Sequence, residues 1–204
     1  MNKGQIRAHF LALLNRTDCS TALADTFIDQ AIVRIQRVLR IPPMEAQHKY
    51  TITSGTAVTS VVVPADMLEI IDVQFDGVAL VRVPMSDMVE LQKHGEHGSP
   101  RYFTRERELV KIAPFPTSGD VYLNYYAEFD DLPTDLSENV LTVIGSDLLT
   151  YTALSYAADY FLDERGPLFE QKSGQFLAEI QEQANAAEQS GMAQVMRPTR
   201  TYTD

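Results

Sequence analysis

The chain has 204 residues, 45% apolar and 9% aromatic, a composition that supports one good core, or one domain inserted in another, and excludes a disordered polymer. Its net charge is −11 with no basic stripe: residues 1–50 carry +3, 51–130 carry −6 and 131–204 carry −8, which argues against a protein built to grip phosphates. Cys19 is the single cysteine, so neither an intrachain disulfide nor a paired-thiol zinc site can form, and a reducing compartment is the expectation.

The first residues, Met1 to Gln5, lead into an amphipathic stretch rather than a signal-type apolar run, and no segment is apolar over membrane length, so a soluble, intracellular chain is expected at synthesis. Ile6, Phe10, Leu13 and Leu14 form the stripe of a short helix that ends by Thr17, and Asp18 or Ser20 can cap the next. In that second helix Leu23, Phe27, Ala31, Ile35 and Val38/Leu39 share one face. Arg34, Arg37 and Arg40 lie near its C-terminal end, where the helix dipole favours cations, and Pro42-Pro43 stops it.

From Tyr50 the hydrophobic period changes to two. Tyr50 to Thr53, a Ser54-Gly55 turn and Val58 to Val63 predict one hairpin; Leu68 to Phe75, Asp76-Gly77 and Val78 to Val83 predict a second, since Asp-Gly supplies the positive φ angles of a tight turn. Ser86 to Leu91 reads as a short helix capped by Ser86 and closed at Gly95. Tyr102 to Thr104, Leu109 to Ile112 and Val121 to Phe129 complete about seven short strands, enough for a small antiparallel sandwich or barrel.

The helical period then returns. Ser146-Asp147 can cap a helix through Leu148, Leu149, Leu154, Ala157 and Phe161 that is apolar on most faces and must be covered on more than one side. Gly166-Pro167 breaks the run, and Phe169, Phe176, Leu177, Ile180, Ala184 and Ala187 form the stripe of a last helix. The fold class is therefore α+β: a helical bundle from N-terminal helices (1–47) and C-terminal helices (136–190), an inserted antiparallel β module (48–135) and an extended tail (191–204).

Chemistry is sparse. His94, Glu96 and His97 have metal-ligand residue types, but Gly95 and Gly98 make the segment a flexible loop and no third ligand follows at a fixed offset. Asp159, Asp163 and Glu164 could form a general acid/base group, yet Arg165 neutralises the cluster and a surface ion network is the simpler reading. Asp130-Asp131 reads as a strand-exit turn. Tyr151 and Tyr156 fall at core positions rather than on a sugar-binding platform. No nucleophile elbow, phosphate-cradling glycine loop or His-Glu-x-x-His helix occurs, so no catalytic, cofactor or metal site is assigned and no enzyme is expected.

The tail beyond Gly191 holds apolar anchors at Met192, Val195, Met196 and Tyr202, spaced too irregularly for an amphipathic helix, and Pro198 with Arg197 before it favours extended geometry. It is either a frayed end or a segment built to lie on something else.

The order of several segments is informative: Arg37-Val-Leu-Arg40-Ile-Pro-Pro-Met-Glu45, Val63-Pro-Ala-Asp-Met-Leu-Glu-Ile-Ile-Asp-Val73 with Asp76-Gly77, Gly98-Ser-Pro-Arg-Tyr102, Ile112-Ala-Pro-Phe-Pro116, Leu123-Asn-Tyr-Tyr-Ala127 and Leu154-Ser-Tyr-Ala-Ala-Asp-Tyr-Phe-Leu-Asp-Glu164. Over nearly the whole chain this order resembles the head-to-tail adaptor proteins of short-tailed bacteriophages. The resemblance implies a helical bundle assembled as a dodecameric ring below the portal protein, with the β module facing the tail nozzle or fibre proteins. It also implies a C-terminal extension reaching the portal, which here makes Met192, Val195, Met196, Arg197, Arg200 and Tyr202 the portal-binding residues. An acidic channel would let genomic DNA pass without tight binding. The virion, and the host cytoplasm during assembly, is the implied location. Two other readings remain at this stage: a β-rich tail or fibre attachment module, and a hydrolase acting through carboxylates such as Asp159 and Glu164.

Overall fold

A computed structural model describes residues 1–53 and 55–189. The chain is mixed α+β, with six helices and two four-stranded sheets among the described residues. It divides into two compact units. One comprises Met1–Ile35 with the segment that begins at Thr134; the other is Gln36–Pro133.

The first unit is helical. Helix α1 (Lys3–Leu14) starts at a capping box not anticipated from its apolar stripe: Gln5 N–H donates to Asn2 Oδ1 (2.9 Å) while Asn2 N–H donates to Gln5 Oε1 (3.1 Å). Helix α2 (Thr21–Gln36) is capped by Ser20, whose Oγ accepts from Leu23 N–H at 3.2 Å; Asp18 instead pairs with Arg16. The buried face of α2 runs through Ala24, Phe27, Ile28, Ala31 and Ile35. Of the pair expected to end that face, Val38/Leu39, both lie beyond the helix end; Leu39 is buried while Val38 is 62% exposed.

A short helix missed in the sequence, α4 (Val140–Ile144), has its own capping box between Asn139 and Thr142. Helix α5 (Ser146–Phe161) begins from Gly145 rather than from a side-chain cap, and buries Leu148, Leu149, Thr150, Thr152, Ala153, Leu154, Ala157 and Ala158, residues spread around most of its circumference. That distribution is satisfied by α1, α4 and α6 (Gly166–Gln189) packed around it. Phe27 of α2 meets Phe10 of α1 and Phe161 of α5. Between α5 and α6 the buried hydroxyls of Thr152 and Ser173 lie 2.7 Å apart, and the Thr152 hydroxyl is also 2.7 Å from the Leu148 carbonyl, so neither is left unsatisfied. Gly166-Pro167 does not break the run as expected. Leu162, in the left-handed region at φ 54°, ends α5, and Pro167 sits in the first turn of α6, where a missing N–H costs nothing.

The second unit is a pair of sheets. Strands β1 (Glu45–Ile52), β8 (Gly119–Ala127), β3 (Met67–Phe75) and β4 (Val78–Ala79) form one, in the order β1-β8-β3-β4. Strands β2 (Ser60–Val62), β7 (Leu109–Ala113), β6 (Tyr102–Glu106) and β5 (Val81–Arg82) form the other, in the order β2-β7-β6-β5. Val73, Phe75, Val121 and Leu123 of the first and Phe103, Val110 and Ile112 of the second share one core cluster, as in a sandwich. Asp76 (φ 46°) and Gly77 (φ 82°) make the tight turn between β3 and β4. Gly119 (φ 123°) admits no side chain, because a Cβ there would stand 2.5 Å from Phe75 Cζ.

Three expectations for this unit need correction. The Tyr50–Val63 hairpin does not form: β1 pairs with β8 and β2 with β7, in different sheets, and Ser54 lies outside the described residues. The hairpin after Asp76-Gly77 is only two residues deep, because the chain leaves at buried Leu80 and β5 joins the other sheet beside β6 in parallel, so the module is not wholly antiparallel. Helix α3 (Met85–Lys93) starts after Pro84 without a side-chain cap. Ser86 is inside it, bonded to Asp87, and buried Met88 anchors it.

Candidate functional site

The tail residues Met192, Val195, Met196, Arg197, Arg200 and Tyr202 all lie outside the described residues. What the structure places are the charged clusters and the surfaces of each unit.

At the turn between α5 and α6, Arg165 binds the Asp163 carboxylate through Nε (3.0 and 3.1 Å) and Nη2 (2.6 Å) and donates as well to the carbonyls of Leu13 (3.2 Å) and Leu14 (2.9 Å). The guanidinium thus closes the open C-terminal end of α1, whose last carbonyls have no intrahelical partner. Its hydrogen bonds, with a further one from the Arg165 backbone N–H, hold Asp163 down to about 2. A carboxylate so firmly ionised does not deliver a proton near neutral pH, so Asp163 does not fit the acid half of an acid/base pair. Asp159 and Glu164 are exposed and do not share this clamp.

A groove of about 460 Å³ runs beside this turn, lined by Arg34, Tyr156, Asp159, Leu162, Pro167 and Glu170 among others. Arg34 is not a solvated helix end. It forms a two-point ion pair with Glu170 of α6, one arm at 2.9 Å, which lowers the Glu170 carboxyl, and it lies over the Tyr156 ring. A second clamp, also illegible in the sequence, joins Arg7 of α1 to Asp25 of α2 (2.6 Å) and to Asp135 (2.6 Å). Tyr151 packs between Phe169 and Phe176, a core role. Leu162 is 88% exposed, with Tyr160 and Leu168 also exposed nearby in sequence.

In the second unit His94, Glu96 and His97 are all exposed. His97 stands edge-on to Phe115 on the rim of a cavity of about 570 Å³. Among the described residues no group of three His, Cys, Asp or Glu side chains has metal-holding geometry. Asp130 and Asp131 are exposed between buried Phe129 and Leu132, a turn leaving β8. Arg40 binds Glu69 at 2.9 Å, lies over Tyr126 and donates to the carbonyls of Gln36 and Leu39, while Arg37 is exposed.

The β1-β8-β3 sheet presents a polar side whose rows follow from strand register: Thr51 with Asp120, Lys49 with Tyr122 and Gln74, Gln47 with Asn124 and Asp72, and Glu45 with Tyr126 and Glu69. Gln47 Nε2 donates to Asn124 (2.8 Å), Asn124 to Asp72, and Lys49 Nζ pairs with Asp120 at 2.7 Å while lying over Tyr122. That side of the sheet thus carries a hydrogen-bonded polar network together with the Tyr122 and Tyr126 rings. No single-strand pattern reveals it, because each row takes residues from segments far apart in sequence.

Compared with known protein families, residues 1–202 match the model of the SU10 adaptor protein family. No curated protein matches the chain.

Proposed function

This chain belongs to the SU10 adaptor protein family, a family of phage head–tail adaptors with a structural role in the virion, and on that premise we propose that it forms a ring of twelve copies below the portal of a short-tailed phage. In this reading the ring extends the DNA channel and joins the portal to tail nozzle or fibre proteins. The observation that carries it is the family match over all but the last two residues.

Other features support the same reading. A net charge of −11 gives a channel wall that repels phosphates, so DNA passes without sticking. The helical unit, residues 1–35 with the segment that begins at Thr134, forms the ring body, and the β unit, residues 36–133, faces the tail. Met192, Val195, Met196 and Tyr202 fill pockets on a portal subunit while Arg197 and Arg200 pair with its carboxylates.

The test is electron microscopy of the full chain, alone and mixed with portal rings, beside a chain truncated after Gly191. Rings that dock on the portal with the full chain and fail to dock after truncation are expected. A full chain that never associates with portal overturns the adaptor assignment; a truncated chain that docks equally well overturns the role of the tail alone.

A further inference from the structure

Helix α5 ends at Leu162, which sits in the left-handed region at φ 54°, where glycine or asparagine is the least strained choice. The leucine gains no burial there: it is 88% exposed, and Tyr160 and Leu168 are exposed close by in sequence. The turn that presents it is fixed. Leu162 N–H donates to the Asp159 carbonyl (3.4 Å), Asp163 N–H donates to the Ala158 carbonyl (2.8 Å), and Arg165 grips the Asp163 carboxylate. Leu162, Tyr156 and Pro167 are among the residues that line the groove of about 460 Å³. A strained, solvent-facing leucine on a rigid turn beside a groove is a surface that a docked segment would cover.

Charge narrows the choice of segment. Every Lys and Arg of the described first unit is already engaged: Lys3 with Asp29, Arg7 with Asp25 and Asp135, Arg16 with Asp18, Arg34 with Glu170, Arg165 with Asp163, and Lys172 with the Tyr151 hydroxyl. Asp159, which lines the groove, and Glu164 in the turn form no ion pair or side-chain hydrogen bond with another described residue. Beyond Gln189 the chain carries the complement: apolar Met192, Val195, Met196 and Tyr202 with Arg197 and Arg200, and no acidic residue before Asp204.

Chain length fits as well. Helix α6 starts at the groove, where Gly166 and Pro167 line it, and runs 24 residues to Gln189. At the usual helical rise that end lies about 36 Å away. Extended chain reaches back about 37 Å from Gln189 to Arg200 and about 44 Å to Tyr202, which brings both level with the groove.

We propose that the groove between α5 and α6 is a docking site for this chain's own tail. The segment beyond Gln189 turns back along α6, Tyr202 covers Leu162 and Pro167, and Arg200 pairs with Asp159. A tether this short holds its end at about millimolar effective concentration, so a contact too weak to capture a free peptide is sufficient here. Arg200 and Tyr202 are also among the residues assigned above to the portal. The further step, that the groove keeps them covered until a portal subunit takes them, rests on that reading.

The test is amide hydrogen exchange of the full chain without portal, read by mass spectrometry over residues 200–203. Wild type should exchange there at least about tenfold more slowly than Leu162→Asn, which suits the left-handed position and removes only the apolar contact. Asp159→Arg should lose the protection too, and Asp159→Arg combined with Arg200→Asp should recover it. Thermal melts of all variants should match wild type, since neither Leu162 nor Asp159 contributes a buried side chain. Wild-type exchange as fast as Leu162→Asn, or protection that survives both single substitutions, overturns the proposal and leaves the portal reading standing. Protection that grows with protein concentration overturns it in favour of a neighbouring copy's tail. A chain protected as expected that never associates with portal overturns the portal reading alone.

Discussion

The Arg165 guanidinium donates to the Leu14 carbonyl at 2.9 Å, joining the α5–α6 turn to the end of a helix 151 residues earlier in the chain. The same side chain grips Asp163. One exposed arginine therefore closes a helix terminus and holds the turn that follows α5. Arg165→Ala should lower the stability of the first unit by about 1–2 kcal/mol, discounted for its partial exposure, as read by urea unfolding. Arg165→Lys should recover little of it, since an ammonium cannot span the carboxylate and two carbonyls in one plane.

Acid should expose the same pair. The folded Asp163 carboxyl sits at about 2, below the ordinary aspartate value of about 3.9 in an unfolded chain. Its contribution is complete above that unfolded value and is lost as pH falls toward and through about 2, because the unfolded state takes up the proton first. Unfolding curves between pH 5 and pH 2 should fall less steeply for Asp163→Asn, which is already weakened at pH 7. Equal slopes for the two proteins would refute the linkage.

Leu154 is fully buried in α5, the helix covered on several sides. Leu154→Ala should cost about 2–5 kcal/mol, the usual range for deleting a buried leucine side chain. Leu154→Asp should abolish cooperative unfolding of the first unit, since an unpaired carboxylate there has no partner. Far-UV circular dichroism with thermal melts distinguishes the two.

Gly119 serves the second unit in a different way. Its φ of 123° disfavours any L side chain, and a Cβ would collide with the Phe75 ring and with Asp76 Oδ2 at 2.8 Å. Gly119→Ala should displace Phe75 from the shared core and loosen the Asp76–Asp120 contact, with a loss of about 1–3 kcal/mol. Amide exchange at Asp76 and Asp120 should rise more than at Lys111 in the other sheet.

The elements whose signals are local were legible in the amino-acid sequence. Ile6, Phe10 and Leu14 recur at the helical period and are buried together on α1; Asp76-Gly77 supplies two positive φ angles and makes its turn; the alternation through Met67 to Phe75 makes a strand. So was membership of a phage head–tail adaptor family, because segment order survives in a linear chain. Strand partnership was decided only in three dimensions. A period of two states which face of a strand is buried but not which strand lies beside it, so Tyr50 to Ile52 looked like half of a hairpin while its true partner begins at Gly119. Likewise Val78 to Val83 looked like one strand, and buried Leu80 divides it between two sheets. The ion pairs Arg7–Asp25, Arg34–Glu170 and Arg165 with the end of α1 followed the same rule. Long side chains reach across helices, and the packing of those helices, set by residues such as Phe27 and Leu154, determines what each arginine finds.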